Sequence, residues 1–226
     1  MTAIITVRPP KGCQATIALG QRAGLDIAAH PLFTIAPRDW SGPPPERIDA
    51  LLVGSSNAIE QAGQQLTDYR DKPVHAVGDA TANAARAAGL AIASVGQGGL
   101  QRVLDALPAG EHRLLRLAGE VHVPLRRPAG VSIELRVVYA ADPVEMDDPL
   151  AAKLRAGALV LLHSAEAARH FASECERHGI DKGAIALAAL GPRILEAAGE
   201  GWAAGNAASQ PRDTALLALA HRMWHR

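Results

Sequence analysis

The chain has 226 residues, of which 48% are hydrophobic, and this is enough apolar material for a folded core in one or two domains. Lysine and arginine together number 23, as do aspartate and glutamate, so no net charge favours nucleic acid or a membrane surface as a partner. No run of about 18 apolar residues is present and the N-terminal residues resemble a strand, so we expect a cytoplasmic protein without a membrane span or a secretion signal.

Short apolar runs alternate along the chain with longer Ala-rich stretches. The runs are typical of central strands in a parallel sheet that is covered on both faces. They comprise residues 3–7, 50–53, 74–77, 113–117, 158–162 and 185–190. The stretches between most of them have helical periodicity and often end at a glycine, as helices commonly do. Strand and helix therefore alternate, and the sequence predicts an α/β fold.

Two segments that contain proline interrupt this alternation. Residues 30–37 and 132–144 have the pattern of extended chain, and Pro31, Pro37 and Pro143 favour edge or linker strands over helices. We therefore expect both segments to be connectors.

The order of elements in residues 4–37 recurs in degenerate form in residues 114–143. Both contain a strand, a helical stretch, a glycine, a second strand and a connector that ends in proline. A strand that ends in serine follows each copy, as VGSSNAIEQ and LLHSAEAAR, and then a strand that ends in glycine, as AVGDATANAARAAG and ALGPRILEAAG. The repeat predicts two α/β units of about a hundred residues each, with a cleft between them.

Several short motifs, in this order and spacing, resemble those of the uroporphyrinogen-III synthases of tetrapyrrole biosynthesis. They are Thr6-Val7-Arg8-Pro9, Pro31-Leu32, Ser55-Ser56-Asn57-Ala58, Val77-Gly78-Asp79-Ala80-Thr81-Ala82, Val138-Tyr139 with Pro143, Ser164, and Leu190-Gly191-Pro192. The likeness spans nearly the whole chain. It implies two pseudo-repeat α/β domains, each a parallel sheet with flanking helices, joined by a two-stranded linker. The expected bounds are 1–33 plus 142–226 for one domain, 38–136 for the other, and 30–37 and 137–143 for the linker strands.

The resemblance also implies an activity. Enzymes of this family cyclise hydroxymethylbilane, a linear tetrapyrrole with an acetate and a propionate on each ring, to uroporphyrinogen III with loss of water and inversion of the last ring. They use no metal, nucleotide or flavin, so no cofactor is expected. The family further implies a monomer that could receive its substrate from hydroxymethylbilane synthase.

A second class of function fits the same architecture. Two α/β lobes joined by two strands also describe solute-binding and sensor proteins. The alternative is therefore a non-catalytic binding module for tetrapyrroles or other polycarboxylates, and turnover of hydroxymethylbilane distinguishes the two.

Residues at the ends of strands are the candidates for substrate binding. Helix N-termini there supply backbone N–H groups and hydroxyls that suit carboxylates, and ligands of open α/β sheets bind at the carboxyl ends of the strands. The predicted substrate-binding residues are Arg8, Ser55, Ser56, Asn57, Gly78, Thr81, Ser164, Gly191 and Arg193.

Structural roles are the alternative for most of these residues. Arg8 could bind a carboxylate or form an ion pair between domains. Ser55, Asn57 and Ser164 could serve only as helix caps, and Thr81 could bond backward to its own helix.

Tyr139 is the candidate catalytic residue. An aromatic side chain in an apolar strand is normally core packing. In the family that the chain resembles, however, the matching tyrosine faces the cleft, where it could act as a general acid on the departing hydroxyl.

The segment between Leu117 and Gly130 departs from the repeat. It is about one helical turn shorter than its counterpart and contains Pro124 and Pro128, so we expect an irregular helix. The family often has an Arg-Gly pair where this chain has Ala118-Gly119. The substitutes that the sequence offers for that arginine are Arg116, Arg126 and Arg127.

Three other patterns do not indicate catalysis. Cys13 and Cys175 lie in Ala-rich helical stretches, where a lone cysteine is usually a small buried hydrophobe. His163 and Ser164 are neighbours whose side chains point to opposite faces of a strand. Residues 96–99 are glycine-rich but lack the Lys and Ser/Thr of a phosphate loop, so they predict a turn.

Overall fold

The computed structural model describes residues 3–225, which divide into two units. Unit 1 is built from both ends of the chain, up to Thr34 and from Asp142 onward, and unit 2 is Ile35–Ala141. In the described residues, no helix combines the length and the apolar character needed to cross a bilayer.

Strands and helices alternate along most of the chain. The strands are β1 (Ala3–Thr6), β2 (Ile27–Ala29), β3 (Phe33–Pro37), β4 (Ala50–Val53), β5 (Val74–Val77), β6 (Ile92–Gly96), β7 (His112–Gly119), β8 (Val131–Pro143), β9 (Ala158–Leu162), β10 (Ile185–Ala189) and β11 (Ala204–Ala207). The α-helices are α1 (Pro10–Arg22), α2 (Ser56–Glu60), α3 (Gly78–Ala87), α4 (Leu100–Asp105), α5 (Asp148–Arg155), α6 (Ala165–Arg177), α7 (Pro192–Ala197) and α8 (Asp213–Trp224). Short 3₁₀ helices cover Pro45–Arg47, Gln64–Tyr69 and Lys182–Ala184.

The sheet of unit 1 is parallel throughout. Its strands lie in the order β11-β10-β9-β1-β2, so the chain moves outward in one direction from β1 to β2 and in the other from β9 to β11. The direction reverses between β1 and β9. In doubly wound sheets such a reversal leaves a crevice at the carboxyl ends of the two strands, where ligands bind.

The sheet of unit 2 repeats this order. Its strands lie as β3-β8-β7-β4-β5-β6, and β8, β7, β4, β5 and β6 are mutually parallel. With β7 and β8 in the places of β1 and β2, the order from β8 to β6 equals that from β2 to β11. The internal repeat in the sequence therefore corresponds to a repeated sheet order, and the direction reverses here between β7 and β4.

The predicted α/β fold is confirmed. The burial of its central strands explains why their sequences form clear apolar runs. All residues of β4, β9 and β10 are buried, as expected for central strands covered by helices on both faces. The expected linker segments 30–37 and 137–143 coincide largely with β3 and β8, and their role as a linker between domains stays a prediction. Hydrogen bonds from Arg38 N to Val138 O and from Val144 N to Leu32 O show that β3 and β8 run antiparallel.

Candidate functional site

A cavity of about 480 Å³ lies in unit 2 at the carboxyl ends of β4 and β7, where the strand order reverses. Its walls are formed by the ends of both strands, the first residues of α4, a loop after β7 and one residue of β8. The lining residues are Gly54, Ser55, Val77, Gly98, Gly99, Leu100, Gln101, Arg116, Leu117, Ala118, Gly119, Val121, His122, Val123, Pro124, Leu125 and Tyr139. A cavity of this size with mostly apolar walls and few polar groups is typical of a small-molecule site.

The cavity exists because a helix is missing. In unit 1, β1 is followed by α1, which packs beside α8 against one face of the sheet. In unit 2 the residues that follow β7, 120–130, contain no helix, so the irregular helix that the sequence predicted is not formed. Pro124 and Pro128 explain the difference, since proline lacks the N–H that a helix interior needs and collides with the preceding turn. The resulting loop covers part of the sheet and leaves a space beneath it.

Side chains hold the 120–130 loop in place. The carboxamide of Gln101 accepts a hydrogen bond from Arg126 N at 2.9 Å and donates one to Arg126 O at 3.0 Å. Arg116 Nη2 donates to Val123 O at 2.9 Å. The loop nevertheless exposes 76% of Val121 and 74% of Val123, which places apolar surface beside the cavity.

Tyr139 lines this cavity from β8. It is paired in the sheet with Gly119 at the end of β7 and packs against the core of unit 2. A Cβ atom on residue 119 would lie 2.7 Å from Cζ and 2.9 Å from Oη of Tyr139. Glycine at this position is therefore required for the tyrosine ring to occupy its place at the cavity wall.

Arg116 is a buried cation in the same wall. The residue is only 6% exposed, and its Nε has no hydrogen-bond partner. Burial lowers the pKa of its guanidinium, although arginine stays protonated at neutral pH. In residues 3–225 no carboxylate forms an ion pair with it.

The segment Ser55-Ser56-Asn57-Ala58 reaches the wall of this cavity through Ser55. Ser55 lines the cavity and also caps α2, because its Oγ accepts a hydrogen bond from Asn57 N at 3.3 Å. Ser56 and Asn57 form the first turn of α2 and are half-buried. Ser55 is therefore the helix cap that the sequence offered as one alternative, and it also lines the cavity, while its contact with substrate stays a prediction.

The turn between β5 and α3 has no side-chain cap like that of Ser55. Gly78 begins α3 with a φ of +75°, a conformation that other residues rarely adopt, and Val77 precedes it in the cavity wall. Thr81 lies one turn later and is only 3% exposed. Contact of Gly78 and Thr81 with substrate stays a prediction.

In unit 1, Arg8 forms a polar cluster at the ends of β1 and β9. Its Nη1 donates to Oδ2 of Asp213 and to Oγ1 of Thr16, both at 3.1 Å. His163 Nε2 lies 3.4 Å from Oδ1 of Asp213. The adjacent imidazole and guanidinium hold the pKa of the Asp213 carboxyl below its ordinary value. The ion pair of Arg8 is thus formed within unit 1, and its role as a clamp for a substrate carboxylate stays a prediction.

The other predicted residues of unit 1 lie at helix starts. Ser164 caps α6, with its Oγ accepting a hydrogen bond from Ala167 N at 3.1 Å. Gly191 precedes the short helix α7, and Arg193 is exposed in the first turn of that helix. Sequence reasoning did not find Asp213 or Gln101 as parts of these sites, because neither lies in a local motif.

The hydrogen bond by which Ser164 caps α6 predicts a measurable change in the free energy of unfolding. Replacing Ser164 by alanine is expected to lower the free energy of unfolding by about 1 kcal/mol, since the N–H of Ala167 loses its partner. Urea denaturation measures the difference. Ser173→Ala is the matched control, because Ser173 is exposed within the same helix and its replacement should be neutral or slightly stabilising. Equal stability of the Ser164→Ala variant and the unaltered protein would contradict the capping role.

Comparisons with known proteins agree on one family. The family model HEM4, described as uroporphyrinogen-III synthase HemD, matches residues 14–218. A search of curated proteins finds no match. Among solved structures, the uroporphyrinogen-III synthetase from Helicobacter pylori 26695 is similar with a TM-score of 0.67 and 16% identity, covering 99% of this chain and 100% of that chain.

A second solved structure supports the same fold. A mutant uroporphyrinogen III synthase from the extremely thermophilic bacterium Thermus thermophilus matches with a TM-score of 0.52 and 16% identity over 100% of both chains. At this identity the structures establish the fold, while the family model, which spans well over half of the chain, establishes the family. The resemblance seen in the sequence motifs is confirmed: the chain belongs to the uroporphyrinogen-III synthase family.

Proposed function

We propose that this protein is a uroporphyrinogen-III synthase, a lyase that cyclises hydroxymethylbilane to uroporphyrinogen III with loss of water and inversion of the last pyrrole ring. The observation that carries this conclusion is the match of residues 14–218 to the family model. The similarity of the fold to those of two solved synthases supports it. No observation favours the alternative of a non-catalytic binding module.

The chemistry requires mainly positioning. Hydroxymethylbilane closes spontaneously to the symmetric type I isomer, so the enzyme must hold the last ring with its substituted carbon toward the electrophilic end of the chain. Well-oriented intramolecular reactions gain several kcal/mol from such positioning. The carboxylates of the substrate are the groups by which the protein can hold it.

The carboxyl ends of the strands offer partners for these carboxylates. Backbone N–H groups and hydroxyls at helix N-termini bind anions without requiring a net positive charge. This agrees with a chain in which 23 basic residues balance 23 acidic ones. We propose that Arg8, Ser55, Ser56, Asn57, Gly78, Thr81, Ser164, Gly191 and Arg193 bind substrate, and the position of Ser55 in the cavity wall supports its inclusion.

Tyr139 is the proposed general acid. Its phenol lines a largely apolar cavity, where a hydroxyl can donate a proton to the leaving hydroxyl group of the substrate. Electron donation from the pyrrole nitrogen assists the same step, so Tyr139 accelerates the loss of water without being indispensable.

The setting of the enzyme is also a proposal. Cys13 and Cys175 are both free and buried, which supports a reducing compartment such as the cytoplasm. Burial raises the pKa of the Cys175 thiol to about 12, so this thiol stays protonated and unreactive. We further propose a monomer that takes its substrate from hydroxymethylbilane synthase; sedimentation analysis tests the oligomeric state.

Isomer analysis tests the proposed function. Freshly generated hydroxymethylbilane is incubated with the purified protein without added cofactor, the products are oxidised, and the type I and type III uroporphyrins are separated by chromatography. We expect predominantly type III product, in an amount that rises with protein concentration. Formation of type I alone at the spontaneous rate would overturn the proposal.

A further inference from the structure

The fold gives the buried guanidinium of Arg116 a single partner, the backbone O of Val123 in the 120–130 loop. Its neighbours on β7, Leu115 and Leu117, belong to the core on one face of the sheet. Because side chains alternate along a strand, Arg116 points to the other face, where Leu114 packs against Leu52 and the α4 residue Leu104. A guanidinium thus occupies a position in an otherwise apolar layer, at the wall of the cavity.

An unpaired charge inside a protein lowers the stability of the fold. A buried cation loses its hydration, and only a partner with good geometry restores the free energy. Arg116 makes one hydrogen bond, to Val123 O, and its Nε has none. Other arginines have carboxylate partners in the structure; such pairs are Arg8 with Asp213, Arg113 with Asp49, Arg136 with Glu134 and Arg177 with Glu174.

We propose that the cavity binds one pyrrole ring of the substrate and that Arg116 pairs with a carboxylate of that ring. This inference rests on the proposed function for the identity of the ligand. The cavity volume of about 480 Å³ suits part of a tetrapyrrole, and its apolar walls, such as Leu100, Val121 and Leu125, suit the ring itself.

Burial distinguishes Arg116 from Arg126 and Arg127, the two arginines of the 120–130 loop. Arg126 and Arg127 are exposed, whereas Arg116 is buried where a lower effective dielectric strengthens its attraction for an anion. The guanidinium can also bind a carboxylate through two parallel N–H groups, which fixes the orientation of the ring.

The test compares a charged ligand with an uncharged one. The probes are a single pyrrole that carries one acetate and one propionate, and its dimethyl ester, each titrated calorimetrically into the protein. We expect the wild-type protein to bind the diacid about tenfold or more tightly than the diester, since a hydrogen-bonded charge pair is formed only with the acid. Equal affinities for the two probes in the wild-type protein would overturn the proposal.

Variants then assign the preference to one residue. Arg116→Met should abolish the preference for the diacid while keeping the affinity for the diester, a pattern that a merely loosened cavity would not produce. Arg113→Met is the matched control, because Arg113 lies on the same strand but pairs with Asp49 on the surface. Retention of the wild-type preference by the Arg116→Met variant would overturn the proposal.

The binding measurement is independent of turnover. If the protein forms no type III isomer but shows the preference that depends on Arg116, the proposed function fails and the carboxylate site stands. If type III forms and Arg116→Met leaves both the preference and the KM for hydroxymethylbilane unchanged, the proposed function stands and this site fails.

Discussion

Replacing Tyr139 by phenylalanine is expected to lower the kcat for uroporphyrinogen III formation by about a hundredfold and to change KM by less than about twofold. General acids commonly contribute about a hundred- to ten-thousandfold, and the electron donation from the pyrrole nitrogen places this step at the lower end. The phenylalanine ring fills the same space beside Gly119, so binding of the substrate is retained.

Steady-state formation of the type III isomer measures this effect. The isomer ratio should stay in favour of type III, because Tyr139 assists the loss of water and the positioning groups are unchanged. Tyr69→Phe is the matched control: the hydroxyl of Tyr69 donates to Pro43 O in the core of unit 2, outside the cavity lining. That variant should lose about 1 kcal/mol of stability and keep its kcat. A wild-type kcat for Tyr139→Phe would leave Tyr139 as a packing residue.

The fold could be predicted because the apolar pattern of its strands is local in the sequence and occurs in two repeated halves. A parallel strand buried on both faces must be almost wholly apolar, and residues 158–162 and 185–189 meet this condition without exception. The degenerate repeat then indicated two units of the same kind, which the sheet orders show. Positions after strand ends followed from the same pattern, so the sequence alone indicated Ser55, whereas Tyr139 was a candidate only through the family resemblance; both line the cavity.

The remaining parts of the site depend on contacts that the sequence does not encode locally. Asp213 pairs with Arg8 across 205 residues of chain, and no motif announces it. The sequence could not distinguish Arg116 from Arg126 and Arg127. Arg116 is buried in a unit where a loop replaces a helix after β7, and burial of this kind cannot be read from the sequence. Pro124 and Pro128 indicated irregularity there, but the cavity beneath the loop is a property of the folded unit.

Replacing Glu174 by alanine is expected to lower the free energy of unfolding by about 3 kcal/mol. The carboxylate is only 7% exposed, accepts a hydrogen bond from Met146 N, and forms an ion pair with Arg177 at 2.6 Å. Its removal leaves a buried N–H without a partner in the segment between β8 and α5. The half-exposed Arg177 can turn toward water, so the loss stays below that of a fully buried pair.

Urea denaturation of the intact chain measures this loss, and Glu176→Ala is its control. Glu176 lies in the same helix and pairs with Lys182, but its side chain is exposed, so its replacement should cost less than about 1 kcal/mol. Equal losses from the two variants would mean that the buried contacts of Glu174 contribute no more than a surface ion pair.

The pH dependence of the free energy of unfolding distinguishes the effect of the negative charge of Glu174 from the effect of its side-chain shape. Burial alone would raise the pKa of this carboxyl, but the hydrogen bonds from Arg177 and Met146 N outweigh burial and lower it below its ordinary value. A carboxyl with a lowered pKa in the folded state contributes stability above its unfolded pKa of about 4.3 and loses that contribution as the pH falls through the folded value. The wild type should therefore exceed Glu174→Gln in stability at neutral pH, and the difference should narrow on acidification below about pH 4. A difference that stays constant with pH would mean that the negative charge of Glu174 does not stabilise the fold, and that its effect comes from shape and hydrogen bonding alone.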